Sequence, residues 1–311
     1  MARCLVIGGN GFIGSHVVDS LVGRGHEVTV FDRHRLGSRQ FEGRGVRLVA
    51  GDFLNTADVR ASLEGQEVVL HFLSTTDPAT ADGDPTIDIR TNITSSVQLF
   101  SACVDAGVSR VYYASSGGAI YGDQDHPGAF AETDVTLPVS PYAIGKQAIE
   151  GYLRYFRRTH GLESTSFRIS NPYGPRQNPL KRQGVIPIFL RRVAEGAPLT
   201  VLGDGSMIRD YLYVGDVAEM IAEVVTVGAR HDLYNLGSGV GTTINELVGT
   251  IREVTGRDVP VEHLPRPATF VDRVVLSVDR FEQEFTTRPT TALADGVRLT
   301  WEEMVEHERR R

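Results

Sequence analysis

Short apolar runs alternate with helix-length amphipathic segments through the first half of the chain. The runs in RCLVIGG, EVTVFDR, VRLVAGD, EVVLHFLS and SRVYYASS are rich in β-branched and aliphatic residues and predict strands. FIGSHVVDSLVGRGH predicts a helix that stops near Gly23 or Gly25, and RTNITSSVQLFSACVDAGV puts Val97, Phe100, Cys103 and Val104 on one helical face. STSFRISN adds a strand near Arg168. Strands joined by helix-length connections form right-handed βαβ units and a parallel sheet. After Asn171 the pattern changes: NPYGPRQNPLKRQG, full of Pro, Gly and cations, predicts a long functional loop. GVIPIFLRRVAEG and INELVGTIREVTG predict helices, the second capped by Thr243 and ended by Gly256, while LYNLGSG predicts a strand returning to the sheet. The expected fold is α/β: a doubly wound parallel sheet, residues 1–170 plus about 210–237, interleaved with a smaller mixed α/β cap, residues 171–209 plus 238–311. No repeat or low-complexity tract is visible.

Composition narrows the class. The chain has 311 residues, 41% hydrophobic and 23% charged, with a net charge of −7, so it can bury a large core without disulfides. Both signs are mixed throughout, which leaves no basic face for nucleic acid; Arg157-Arg158 and Arg309 to Arg311 read as solvated surface. Cys4 and Cys103 lie inside apolar runs, with no metal-ligand spacing around them, and read as reduced thiols of a cytoplasmic protein without a metal. No apolar run approaches the roughly 20 residues of a membrane helix. Gly8, Gly11 and Gly14 break the N-terminal run into a strand and a turn.

IGGNGFIGSH carries those three glycines directly after the first strand. Gly8 permits the turn, Gly11 lets backbone approach a pyrophosphate, and Gly14 lets the helix pack on the sheet, which brings Phe12 and Ile13 of the first helical turn to the phosphates. Asp32 ends the second strand eighteen residues after Gly14, where a carboxylate can accept both hydroxyls of an adenosine ribose. It repels a 2′-phosphate, favouring NAD over NADP, although the neighbouring Arg33 and Arg35 soften the preference. Gly51-Asp52, followed by Phe53, ends the third strand where adenine would sit. Together these features predict a Rossmann-type dinucleotide domain.

SPYAIGK places Tyr142 and Lys146 four apart on the helix that starts after Pro141, on one face and about 6 Å apart along the axis. A phenol acting as base at pH 7 needs its pKa lowered by about three units, roughly 4 kcal/mol, which an ammonium one turn away and a cationic nicotinamide can supply. HFLS, Asn92, SSGGAIYG, SPYAIGK, RISNPYGPRQ and GDGSMIRDYLYVGDVAEMI, taken with the glycine turn and Asp32, resemble the extended short-chain dehydrogenase/reductases. Within them the likeness is to the NAD-dependent nucleotide-sugar epimerase/dehydratase branch, typified by UDP-galactose 4-epimerase, and runs from residue 5 to about 240.

The resemblance implies that Tyr142 is the acid and base at a sugar hydroxyl and that Lys146 binds the nicotinamide ribose. It implies that Phe72, Leu73, Ser74, Asn92 and Ser115 line the cofactor, and that Asn171, Val185 and Arg209 meet a nucleotide-diphosphate sugar, most simply a UDP-sugar. A late arginine maps to Arg266, or to Arg273 with a shifted gap. The family also places a hydroxyl residue where this chain has Gly117. Adjacent strand side chains face opposite sides, so Ser116 can take that part, or hold a water there, only if the backbone bends at Gly117-Gly118. The family's dehydratases carry an Asp-Glu pair at the places of Gly118 and Ala119, and its decarboxylases a Glu at the latter. Their absence favours 4-epimerisation through a transient 4-keto sugar and enzyme-bound NADH, on UDP-glucose/UDP-galactose or the N-acetyl forms. Asn178, with Lys181 and Arg182 beyond, leaves a uronate possible but not preferred. The open alternatives are another enzyme of the family (uronate epimerase, decarboxylase, dehydratase or 4-keto reductase) and a catalytically weak NAD-binding redox sensor. Apolar positions on several sides of the helices at Asn92 and Tyr142 suggest a homodimer, as in the family.

Overall fold

The computed structural model describes residues 1–33, 41, 45–126, 128–180, 184–266, 271–288 and 290–309; Arg35, Lys181 and Arg182 lie outside them. In chain order the elements begin β1 (Arg3–Ile7), α1 (Phe12–Gly23), β2 (Glu27–Asp32), β3 (Arg47–Ala50), α2 (Thr56–Ser62), β4 (Val68–His71), α3 (Pro78–Gly83) and α4 (Pro85–Asp88). A π-helical turn (Ile89–Ile93) leads into α5 (Thr94–Asp105), then β5 (Arg110–Ser116), α6 (Gly117–Ile120), α7 (Pro141–His160), β6 (Glu163–Ile169) and β7 (Asn171–Tyr173). There follow α8 (Val185–Glu195), β8 (Leu199–Leu202), β9 (Ile208–Tyr213), α9 (Val214–Val227), β10 (Leu233–Leu236), β11 (Gly241–Thr243) and α10 (Ile244–Thr255). The last are β12 (Val261–Leu264), β13 (Arg273–Val274), α11 (Asp279–Glu284) and α12 (Leu293–Arg309).

Seven strands form one sheet in the order β10-β6-β5-β4-β1-β2-β3, and the ladders from β3 across to β5 are all parallel. The run LYNL does return to this sheet, at its edge beside β6. The strand order reverses at β1, which has β2 on one side and β4 on the other. In such a Rossmann-like sheet the crevice at the carboxyl ends of those strands is where a ligand fits. On one face Leu5, Ile7, Phe31, Val69, Val111 and Tyr113 pack against Val59, Leu99, Phe100, Ile149 and Leu153 from α2, α5 and α7. α1 buries Val17, Val18 and Leu21, and its Ser20 and Arg24 both donate to Glu219 of α9, at 2.6 and 3.0 Å.

The chain divides into two compact units, residues 1–116, 140–168 and 218–234 in the first, and 117–139, 169–217 and 235–311 in the second. This differs from the boundaries expected from the sequence chiefly in placing 117–139 in the second unit. The reason is long-range: Phe130 N donates to Val275 O and Ser277 N to Phe130 O, both at 2.8 Å, and Ile120, Tyr121 and Phe130 share a core with Val271, Val274 and Leu276. In the second unit β9 pairs with β7, β11 and β13, and β8 with β12. Tyr173, Phe189, Leu190, Leu247, Ile251 and Val297 form its main core. α10 begins with the expected Thr243 cap, completed by Glu246, and ends at Gly256. Among the described residues no helix is long and apolar enough to cross a membrane.

Candidate active site

The glycine turn is shaped as its spacing requires. Gly8 has φ +82°, and a Cβ on it would lie 2.8 Å from Leu73 N; one on Gly14 would lie 2.3 Å from Gly8 O. The turn brings Gly11 N to Gly8 O at 3.0 Å and starts α1 at Phe12. No side chain caps that helix, so the first-turn N–H groups of Phe12, Ile13 and Gly14 carry only the helix dipole, which suits a phosphate. Asp32, at the end of β2, accepts from the backbone N–H groups of Arg33 (2.7 Å) and Asn10 (3.3 Å), drawing the carboxylate to the same turn. A turn whose three glycines leave no room for a Cβ, a helix start without a side-chain cap and an acidic strand end fit a dinucleotide. Asp52 accepts from Leu54 N at 3.0 Å, whereas the ring of Phe53 is buried in the core against His71, 5.0 Å between centroids. Only Phe53's backbone is therefore available to a ligand. After β4, Phe72 N donates to Ile7 O, and Ser74 Oγ to Thr76 O at 2.8 Å.

α7 starts at Pro141, one residue earlier than expected, with Ser140 Oγ accepting from Ala143 N as its cap. Tyr142 is half-buried and Lys146 buried, with Nζ donating to Ala114 O at 2.7 Å and lying 5.7 Å from the centre of the Tyr142 ring. The side chain of Ser116 hydrogen-bonds Tyr142. β5 ends at that serine, and Gly117-Gly118 open the short helix α6 with ordinary negative φ. The bend expected of the glycine pair is thus a strand passing directly into a helical turn. Ser115 points the other way, donating to Glu150 Oε1 at 2.6 Å, so its hydroxyl is committed inside the protein.

The electrostatics depart from expectation. Burial pushes Tyr142 up to about 12, the Ser116 hydrogen bond works against it, and the carboxylates of Asp88 and Asp77 add to the rise. The chain's own groups therefore do not prepare the phenolate; further positive charge in the site is needed. Burial also pushes Lys146 down to about 8, while Asp88 and Glu150 hold it up.

Asp88 and Glu150, which shape this site, escaped the sequence reading, whereas Asn92 did not. Asn92, expected at the cofactor, donates from Nδ2 to Thr76 Oγ1 and Asp88 Oδ1, both at 2.7 Å, and accepts from Thr75 N and Oγ1 at 2.9 Å. Asp88 is one helical step of four before Asn92, and the pair lines a cavity with His71, Tyr113, Tyr142 and Lys146. His71 bonds Ser96 Oγ through Nε2 at 2.9 Å and is held neutral by burial, its pKa down to about 3. Glu150 forms a buried pair with Arg168 at 2.9 Å.

In the second unit, Asn171 Nδ2 donates to Asp210 O at 3.1 Å, and a Cβ on Gly118 would lie 3.3 Å from Ser170 O and 3.4 Å from Asn171 Oδ1, a close but tolerable fit. Gly117 is buried, and Val185 opens α8 packed against that unit's core. Arg209 donates to the carbonyls of Val271 (2.6 Å), Ile208 (2.8 Å) and Asp272 (3.4 Å). Arg266 pairs with the Asp272 carboxylate, beside Arg209, whereas Arg273 turns to Gly128 O.

A model of the NAD-dependent epimerase/dehydratase family matches residues 4–237. The chain is 34% identical to a UDP-glucose 4-epimerase of Mycolicibacterium smegmatis, over 96% of this chain and 97% of that one. Among solved structures it superposes on UDP-glucose 4-epimerase from Thermotoga maritima with UDP-glucose (TM-score 0.91, 34% identity, 98% and 99% of the two chains). It superposes equally on the Thermus thermophilus UDP-glucose 4-epimerase complex with NAD (TM-score 0.90, 35% identity, 97% and 99%). With the switch-point glycine turn and the tyrosine–lysine helix in place, the chain belongs to the NAD-dependent epimerase/dehydratase family.

Proposed function

We propose that the protein is an NAD-dependent nucleotide-sugar 4-epimerase acting on UDP-glucose/UDP-galactose or their N-acetyl forms. The observation that carries this reading is the hydroxyl–phenol–ammonium set of Ser116, Tyr142 and Lys146 in a unit that also holds the glycine turn. Gly8, Gly11, Gly14, Asp32, Asp52, Leu73, Ser74 and Lys146 would hold the cofactor, with Asp32 against NADP and Arg33 softening that preference. When bound, NAD supplies the hydride acceptor and donor at the sugar C4 and a positive charge. Tyr142, once ionised, takes the C4 hydroxyl proton; Ser116 steadies the phenol's oxygen and Lys146 the ribose. After the flat 4-keto sugar has turned over to present its other face for reduction, Tyr142 returns the proton to the C4 oxygen. Gly118 and Ala119 provide no second acid or base, which disfavours dehydration and decarboxylation. Asn171, Val185, Arg209 and Arg266 are the groups we assign to the nucleotide diphosphate; Arg266 is preferred to Arg273 because it lies within electrostatic reach of Arg209.

Two buried free thiols suit a cytoplasmic setting. The exposed stripe Ile144, Tyr152 and Tyr155 along α7, with Ile89 also exposed, suits pairing with a second copy of the chain. Light scattering that gave a monomer mass would remove that part. The test of function is product NMR with a panel of nucleotide sugars, together with Tyr142→Phe. Interconversion at C4 that falls at least 10²-fold in the variant supports the reading. Undiminished turnover in the variant defeats it, and tightly bound NAD without turnover of any sugar leaves the redox-sensor reading.

A further inference from the structure

Asp88 is 3% exposed, yet its environment does not require a charge for hydrogen bonding alone. Oδ1 accepts from Thr76 Oγ1 (2.6 Å) and Asn92 Nδ2 (2.7 Å), and an amide oxygen would accept both equally well. Burying an ionised carboxylate costs several kcal/mol unless a countercharge answers it. The other oxygen, Oδ2, is seated on α7 at Gly145, where a Cβ would lie 1.8 Å away. Glycine inside a 20-residue helix gives up about 0.5–1 kcal/mol relative to alanine. Here its bare Cα admits the carboxylate between Tyr142 and Lys146. A π-helical turn follows Asp88 immediately, with Thr94 Oγ1 donating to Ile89 O at 2.9 Å, and Asn92 within it bonds back to Asp88.

We propose that Asp88 is a positioning residue of the tyrosine–lysine pair: its buried carboxylate, docked on Gly145, is the countercharge that keeps the Lys146 ammonium charged. Lys146 itself donates to a carbonyl, Ala114 O, so Asp88 acts across the cavity that both residues line rather than by a contact ion pair. The other groups around the lysine are Glu150 on α7, Tyr142 one turn before it, Tyr113 on β5 and neutral His71 on β4. Glu150 is already answered by Arg168, with Nε at 3.1 Å and a terminal nitrogen at 2.9 Å. Among the described residues no cation forms a contact ion pair with Asp88, and Asp88 does more than Glu150 to hold the lysine charged against burial. The same carboxylate raises Tyr142, so the two groups of the pair are set together by one residue.

The proposal rests on Tyr142 and Lys146 forming the working pair, but its test does not need catalysis. The chain contains only two lysines, Lys146 and Lys181. With lysine labelled at Cε by ¹³C, Lys181→Arg leaves a single resonance to titrate in the full-length protein, with and without added NAD. The wild-type midpoint is expected about 8. Asp88→Asn, which keeps both Oδ1 hydrogen bonds, should lower it by about one unit, a tenfold change in the proton affinity of Lys146. In the same variant both limbs of the kcat/KM profile should slide to lower pH, because the lysine loses its proton sooner and the tyrosine is relieved of an anion. A merely structural role would lower the rate without moving the limbs. Should Asp88→Asn fail to fold, Gly145→Ala keeps the carboxylate but displaces it, and must lower the lysine midpoint in the same sense. A midpoint unchanged in whichever variant folds overturns the proposal, even where Tyr142→Phe has upheld the epimerase reading.

Discussion

Replacing Ser116 by alanine isolates the hydroxyl that stands one residue before the expected place. The structure gives it one task at the site, a hydrogen bond to Tyr142 that opposes the rise of the phenol's pKa. A hydrogen bond to a charged group is worth about 1.5–3 kcal/mol, which at 1.36 kcal/mol per unit is about one to two pH units. Tyr142 works as a base only when ionised, so losing the bond raises its pKa and moves the acid limb of kcat/KM upward by that amount. Well below the limb the rate should fall about 10- to 100-fold, and the deficit should narrow as pH rises. Initial rates of UDP-galactose formation, followed by NMR from pH 6 to 10, measure the displacement. Ser115→Ala is the matched control: its hydroxyl serves the buried Glu150, 2.6 Å away, so the loss should appear as about 1–3 kcal/mol of stability with the limbs unmoved. A Ser116→Ala profile superimposed on the wild type refutes the part given to this hydroxyl, and a shift in Ser115→Ala instead would mean that the two faces of the strand end are assigned the wrong way round.

Gly14→Ala would set a methyl 2.3 Å from Gly8 O, a backbone atom that cannot yield without opening the turn. Overpacking of this kind costs about 1–3 kcal/mol, so the variant should show a lower Tm and at least tenfold weaker NAD retention, measured by dialysis and absorbance. His71 has a folded pKa of about 3 against 6.5 when unfolded, so the unfolded chain binds its proton first. The stability conferred by the neutral ring is whole above pH 6.5 and is lost as pH falls toward 3, by roughly 4–5 kcal/mol over the full window. Urea titrations should find that His71→Gln flattens the dependence of stability on pH by about one proton between pH 6 and 4; parallel curves for the two proteins would contradict the burial argument.

What could be read from the chain was local. The glycine turn, the Ser140–Pro141 start of α7 and the Thr243 cap each depend on dihedral preferences and hydrogen bonds spanning three or four residues, and all lie within a residue of where their spacing puts them. The transfer of residues 117–139 to the second unit rests on bonds between Phe130 and Val275, some 145 positions apart, which no periodicity encodes. The bend at Gly117-Gly118 was legible as a need but not as a device: two glycines make a bend cheap without saying which, and here the strand runs straight into α6. The buried charges were the least visible, since Asp88, Glu150 and Arg168 look in sequence like ordinary solvated positions, and only burial makes a charge consequential. One trace of Asp88 was nevertheless in plain view. Helices tolerate an interior glycine poorly, and Gly145 falls between the tyrosine and the lysine that share a face. A residue that weakens the helix at that point needs a compensating partner. The partner is the carboxylate that rests on it, so the same vacancy of side chain that weakens α7 brings a negative charge to the lysine the chemistry depends on.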